Sequence, residues 1–96
     1  MTAYWINIVH EVRDPEKLAA YVELSTPAIA AAGGRFIARG MPAAVFEEGT
    51  ETRTVVIEFP SVDAARGCYE SELYGRAMAA LGDGAVRDIR IVPGVD

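Results

Sequence analysis

Thr54-Val55-Val56-Ile57-Glu58-Phe59-Pro60 is a β-branched run stopped by proline, and it leads directly into Ser61-Val62-Asp63-Ala64-Ala65, a capped helix start. Apolar residues fall on both faces of the run, the pattern of a strand in the middle of a sheet covered on both sides. Glu58 is the one charge inside it. An unpaired carboxylate buried there would be costly and would raise its own pKa, so Arg35, Arg39 or Arg90 on neighbouring strands are the groups expected to neutralise it.

Upstream of this strand, Tyr4 to Val12 alternates Tyr4, Ile6, Ile8 and His10 with Trp5, Asn7, Val9 and Glu11, which reads as a first strand. Arg13-Asp14-Pro15-Glu16 then opens a helix with a carboxylate cap and a proline in the first turn. Leu18, Tyr21, Val22, Ala28, Ile29 and Ala32 form its buried stripe. Pro27 removes a backbone donor inside that stripe and predicts a kink or a break into two segments near Ser25-Thr26. Gly33-Gly34 ends the helix, and Arg35 to Arg39 forms a second strand stopped by Gly40-Met41-Pro42. Ala43 to Glu47 extends it irregularly into an acidic turn, from which Thr52 to Phe59 returns as the antiparallel partner. Downstream, Val62, Ala65 and Tyr69 line one side of the second helix, and Ser71-Glu72 caps a further piece through Leu73, Ala77 and Leu81 to Gly82. Arg87 to Val92 makes the last strand before Pro93-Gly94.

The order is β-α-β-β-α-β, an α+β arrangement of the ferredoxin-like kind in which a four-stranded antiparallel sheet carries its helices on one face. Alternation assigns Tyr4, Ile6, Phe36, Ala38, Val55, Ile57, Phe59, Ile89 and Ile91 to the helices. It leaves Trp5, Asn7, Val9, Ile37, Val56 and Val92 on the open face, beside Arg35, Arg39, Thr54, Glu58 and Arg90. So many apolar side chains are not expected to stay wet, and two such sheets packed face to face in a homodimer would cover them.

Ninety-six residues make one domain, residues 1–96, whose stability alone would be marginal. The composition is 51% apolar, which excludes a disordered chain, and no apolar run is long enough to cross a bilayer. The net charge is −5 and argues against phosphate-backbone binding, so neither nucleic acid nor membrane is an expected partner. Of nine basic residues only Lys17 is a lysine. Arginine pairs bidentately with carboxylates and stays charged when partly buried, so work inside a site and a GC-rich coding bias both explain the excess. The N-terminus lacks the basic region and cleavage pattern of a signal peptide, and Cys68 is a lone cysteine; the expectation is a cytoplasmic protein.

Several strings resemble the domain-of-unknown-function family 1330 of small dimeric α/β-barrel proteins. They are Ala3-Tyr4-Trp5-Ile6, Asp14-Pro15-Glu16, Gly33-Gly34-Arg35-Phe36-Ile37-Ala38-Arg39-Gly40, Val56-Ile57-Glu58-Phe59-Pro60-Ser61, Ala64-Ala65-Arg66 and Tyr69-Glu70-Ser71-Glu72-Leu73-Tyr74. The resemblance spans nearly the whole chain and implies a ferredoxin-like dimer. It implies no particular reaction, since the wider barrel superfamily includes cofactor-free monooxygenases, lactone isomerases, haem-degrading and haem-dependent enzymes, and binding proteins. Met41 and Cys68 stand where the family often has a glycine and an aromatic residue.

For chemistry, His10 is the only histidine and a candidate base near neutral pH, with Glu58 the candidate carboxylate. Arg39, at a strand end before a turn, is placed to greet a carboxylate or enolate oxygen. Tyr69 and Tyr74 flank Ser71 and offer hydroxyls on apolar rings for a pocket between helix and sheet. Trp5 and Asn7, with His10, resemble the residue types used by haem-degrading relatives, although here all three come from one strand. Neither zinc-ligand spacing nor a calcium loop is present, so no metal and no cofactor are expected. The reading is a small-molecule enzyme or binder for a polar or acidic metabolite, monooxygenase- or isomerase-like. The alternative is a non-catalytic dimeric or stress-associated module whose buried charges are structural.

Overall fold

A computed structural model describes residues 1–95 of the chain. The elements follow in the order β1 (Ala3–Val12), α1 (Pro15–Ala31), β2 (Arg35–Gly40), β3 (Thr54–Phe59), α2 (Val62–Tyr69), α3 (Glu72–Leu81) and β4 (Ala85–Pro93). Asp14 caps α1 by accepting from the Glu16 and Lys17 amides, and Pro15 fixes φ in the first turn, where no donor is needed. Ser61 and Ser71 cap α2 and α3 by accepting from the Ala64 and Tyr74 amides. Gly33, at φ 87°, closes α1 in the left-handed region, and the Gly34 amide donates back to the Ile29 carbonyl at 2.9 Å.

The expected break at Pro27 does not occur: α1 runs through it as one helix. Pro27 lies on the exposed side of the helix. The opposite side, Tyr21, Ser25, Ala28 and Ile29, is held in the core, and tertiary packing outweighs the local loss. Residues 43–47 add no strand to β2, and the chain between β2 and β3 is irregular.

The sheet has the order β2-β3-β1-β4 with every neighbouring pair antiparallel, and the helices cover one face. This is the ferredoxin-like βαββαβ arrangement. Its register corrects the assignment of faces. Trp5 stands opposite Ile57 on one side and Ile91 on the other, so Trp5, Asn7 and Val9 point toward the helices, and Tyr4, Ile6 and Ile8 point away. Alternation gives the two sets of a strand but not which set turns inward; the larger ring decides, because Trp5 is 1% exposed and packs on Phe59, Tyr69 and Tyr74. A register shift between Phe36 and Ala38 makes a second correction. The extra residue in β2 puts Ala38 opposite Val56 on the open face and Arg39 opposite Val55 on the helix side.

The core gathers Trp5, Tyr21, Ile29, Ile57, Phe59, Cys68, Tyr74 and Leu81. Gly34 is required at the turn into β2, since a β-carbon there would lie 2.6 Å from Ile29 Cγ2 and 2.9 Å from the Phe59 ring. Gly67, inside α2, has open space around it. In chemical denaturation, Gly34→Ala is expected to cost about 1–3 kcal/mol by overpacking. Gly67→Ala is expected to add about 0.5–1 kcal/mol by restricting the unfolded chain.

Candidate functional site

β1 and β4 carry the central polar groups of the site. Arg87 stands opposite Val9, whose amide bonds the Arg53 carbonyl at 2.9 Å, so β4, β1 and the approach to β3 form one row on the helix side. The next row holds Ile89, Asn7, Val55 and Arg39. Above these rows, Tyr21 and Ser25 of α1 close a cavity of about 80 Å³, bordered also by Asn7, Arg39, Arg53 and Arg87. A larger groove, about 530 Å³, opens between α2–α3 and β4 over Tyr69, Met78, Leu81, Ile89 and Ile91, with Arg66 at its edge. Arg87 borders both spaces.

Arg87 is half-buried. Its guanidinium carbon lies 4.5 Å from the centroid of the Tyr21 ring, and Nη2 is 3.2 Å from the Met78 sulfur, a weak acceptor. Nη1 is buried with no acceptor among the described residues, and Asn7 Oδ1 is buried with no donor. The Tyr21 and Tyr74 hydroxyls meet at 2.6 Å in the core. Burial, and next the Tyr21 hydroxyl beside it, push the Tyr74 phenol well above its ordinary value near 10, so it holds its proton and is no base at neutral pH. Burial likewise pushes the Cys68 thiol up, which leaves it an inert core residue. Arg39 lies with its guanidinium carbon 4.6 Å from the centroid of the Phe36 ring, also on the cavity wall.

Of the expected site residues, Trp5, Asn7 and Arg39 border the cavity and Tyr69 borders the groove. Tyr74 is wholly buried behind both and reaches the site through Tyr21. His10 and Glu58 lie on the opposite face of the sheet. Glu58 accepts from Arg35 Nη2 at 2.9 Å, and His10, the extra residue in a register shift of β1, is exposed 4.0 Å from an Asp88 carboxylate that Arg90 also grips at 2.8 Å. Sequence reasoning passed over Arg87, Tyr21, Ser25 and Arg53. Arg87 had a signal: it precedes Ile89 and Ile91 by two and four residues, which puts its side chain on their buried face. Among the described residues, no three His, Cys, Asp or Glu side chains come together as they would around a metal ion.

The sequence matches the domain of unknown function DUF1330 over residues 2–95. The chain belongs to this family. No curated protein matches it. Among solved structures it is similar to a protein of unknown function from Rhodopseudomonas palustris, at 20% identity and TM-score 0.75 over 99% of this chain and 83% of that one. It is also similar to SnoaB, a cofactor-independent oxygenase from Streptomyces nogalater, at 15% identity and TM-score 0.62 over 99% and 94% of the two chains. A protein from Bacteroides fragilis described as dimeric, of unknown function and ferredoxin-like, matches at 14% identity and TM-score 0.56 over 97% and 96%. At these identities the likeness is one of fold, and the DUF1330 chain shares that fold along almost its whole length.

The raised phenol of Tyr74 has a pH consequence. Its folded pKa exceeds the unfolded value, so the stability it adds is complete below pH 10 and is lost as pH rises from there toward the folded value. Above about pH 10 the unfolding free energy is expected to fall by about 1.4 kcal/mol per pH unit more steeply in the wild type than in Tyr74→Phe, measured by urea denaturation between pH 8 and about pH 11.

Proposed function

We propose that this protein binds a small polar or acidic metabolite in the cavity between α1 and the sheet, as half of a homodimer joined through the open sheet faces. Any transformation it performs there, monooxygenase- or isomerase-like, proceeds without a cofactor. The observation that carries this reading is Asn7 Oδ1, buried on the cavity wall without a donor. An unpaired buried acceptor costs about 1–3 kcal/mol, and a ligand donor would recover it. Arg87 Nη1 supports the reading from the opposite sense, as a donor without an acceptor.

The cavity wall contains no His, Asp or Glu. Proton transfer in this reading therefore falls to an acidic substrate, and the wall contributes stabilisation of negative charge on oxygen. His10 and Glu58 are left to the open face, where they would meet the partner. The dimer itself is supported by the half-buried Ile6, Ile8 and Val56 on that face, by Ile37 and Val92 left 45% and 42% exposed, and by the dimeric description of the Bacteroides structure.

The Arg35–Glu58 pair favours a second reading for that carboxylate alone: at 2.9 Å Glu58 already has its partner and acts as architecture. Glu58→Gln is then expected to cost at most about 1 kcal/mol and to leave ligand binding unchanged.

Thermal-shift measurements against small carboxylates, phenols, quinones and lactones test the cavity. A stabilising ligand is expected for the wild type and a smaller shift for Arg39→Ala. Asn7→Leu is expected to raise the stability of the ligand-free protein by about 1 kcal/mol while erasing the ligand's effect. Light scattering is expected to give twice the 10.3 kDa chain mass, and Ile6→Lys to give the single mass. If no compound shifts the melting temperature of the wild type, the cavity is not a binding site.

A further inference from the structure

The basic residues of this acidic chain divide into two groups. Arg13, Lys17, Arg35, Arg76 and Arg90 each sit between 2.7 and 3.4 Å from a carboxylate. Arg39, Arg53, Arg66 and Arg87 have no ion pair among the described residues. Three of these four border the cavity beneath α1, and the fourth shares the groove with Arg87. A coding bias toward arginine accounts for the number of guanidiniums but not for this distribution. In a protein of net charge −5, the unpaired positive charge is collected around a cavity whose wall carries no carboxylate.

We infer that the cavity is a site for a compact dianion, a small dicarboxylate or a phosphate group, held by Arg87 from within and drawn in by Arg39 and Arg53 at the rim. The inference rests on the cavity being a binding site and adds the charge and size of its occupant. Arg87 is the holding group because it is the half-buried one, with Nη1 unpartnered and only the Tyr21 and Tyr74 phenols and the Met78 sulfur, no carboxylate, around the rest of its head. A guanidinium taken from water without a carboxylate retains its full demand for an anion. Arg39 and Arg53 are exposed, so each alone contributes weakly, but positive charges converging on an apolar-walled opening concentrate the field there. Asn7, 8% exposed, borders the same cavity one row along from Arg87, and its amide fixes the orientation of the bound group. The cavity, about 80 Å³, has room for a compact ion of a few heavy atoms.

Calorimetry on the purified protein at constant ionic strength tests this with four probes: malonate, inorganic phosphate, acetate and the neutral malonamide. Malonate or phosphate is expected to bind roughly tenfold or more tightly than acetate, and malonamide not at all, because one guanidinium contact to a charged oxygen is worth about that factor. Preference between malonate and phosphate assigns the dianion to a carboxylate or a phosphate source. Arg87→Met is expected to abolish binding while leaving the melting temperature of the free protein equal or higher, since it removes a half-buried charge that no carboxylate pairs; a lower melting temperature would mark Arg87 as structural and overturn its role. Arg53→Gln, at an exposed position, is expected to weaken binding several-fold with no change in melting temperature, and it serves where Arg87→Met does not fold. Equal binding of malonamide or acetate overturns the dianion and leaves a small-molecule site in place. Absence of binding by all four probes overturns the dianion, and the wider reading then stands or falls on the library of phenols, quinones and lactones.

Discussion

Trp5 has to be inside, and much of the molecule follows from that. Its indole meets Phe59 at 5.8 Å, Tyr69 at 5.7 Å and Tyr74 at 5.2 Å, a cluster of rings that a domain of this size has no second place to bury. A strand has period two, so once Trp5 faces the helices, Asn7 and Val9 must as well. Asn7 is therefore carried into the interior by its neighbour two residues away. Had the strand turned the other way, Asn7 would be on the surface with no unsatisfied acceptor, and the indole would be in water. The apolar term of burying an indole, at about 25 cal/mol per Å², exceeds the penalty for one amide oxygen, and the balance leaves a polar group at the cavity wall.

The sheet then separates two kinds of charge. On the open face, Glu58 is paired with Arg35 and Asp88 with Arg90, each within hydrogen-bond distance. On the helix side, Arg39, Arg53 and Arg87 have rings or cavity beside them rather than carboxylates. Paired charges suit a face that another sheet would cover, because an ion pair carried into an interface is tolerable where a lone charge is not. Unpaired ones suit a place that a charged solute enters and leaves.

Most of the framework was legible in the sequence because it is written in local signals. The caps at Asp14, Ser61 and Ser71, the glycine stop at Gly33 and the β-branched run of β3 all act within a few residues of themselves. The faces were less legible, since alternation is symmetric and the choice between its two sets depends on tertiary packing of Trp5. The register shifts at Ile37 and His10 were not legible, because nothing in either residue's type marks an extra residue in a ladder. The shift at Ile37 is what moved Arg39 to the side of the site. Pro27 misled for the reverse reason: its local cost is real, but the apolar contacts of Ala28 and Ile29 outweigh it. For the site, Trp5, Asn7, Arg39 and Tyr69 were singled out by residue type and do border the two spaces, whereas Arg87 stood in plain alternation with Ile89 and Ile91 and was taken for ordinary strand.

A domain of 96 residues has little stability to spare, typically about 5–15 kcal/mol, and two unsatisfied buried groups consume a noticeable part of it. Apolar side chains at these two positions would remove that cost, and the proposed ligand is a compensation that the isolated chain does not contain. The proposed dimer through the open face would add stability but touch neither Asn7 nor Arg87, because the sheet lies between. It would explain how the protein tolerates the defect, not why the defect is there. Under the proposed reading, a ligand inside the cavity would meet both atoms at once by offering a donor to Asn7, or accepting its turned amide, while presenting an oxygen to Arg87. In the proposed reading, what lets the protein tolerate the unsatisfied pair and what the pair is for lie on opposite faces of one sheet, so the proposed assembly and ligand binding belong to a single account of this fold.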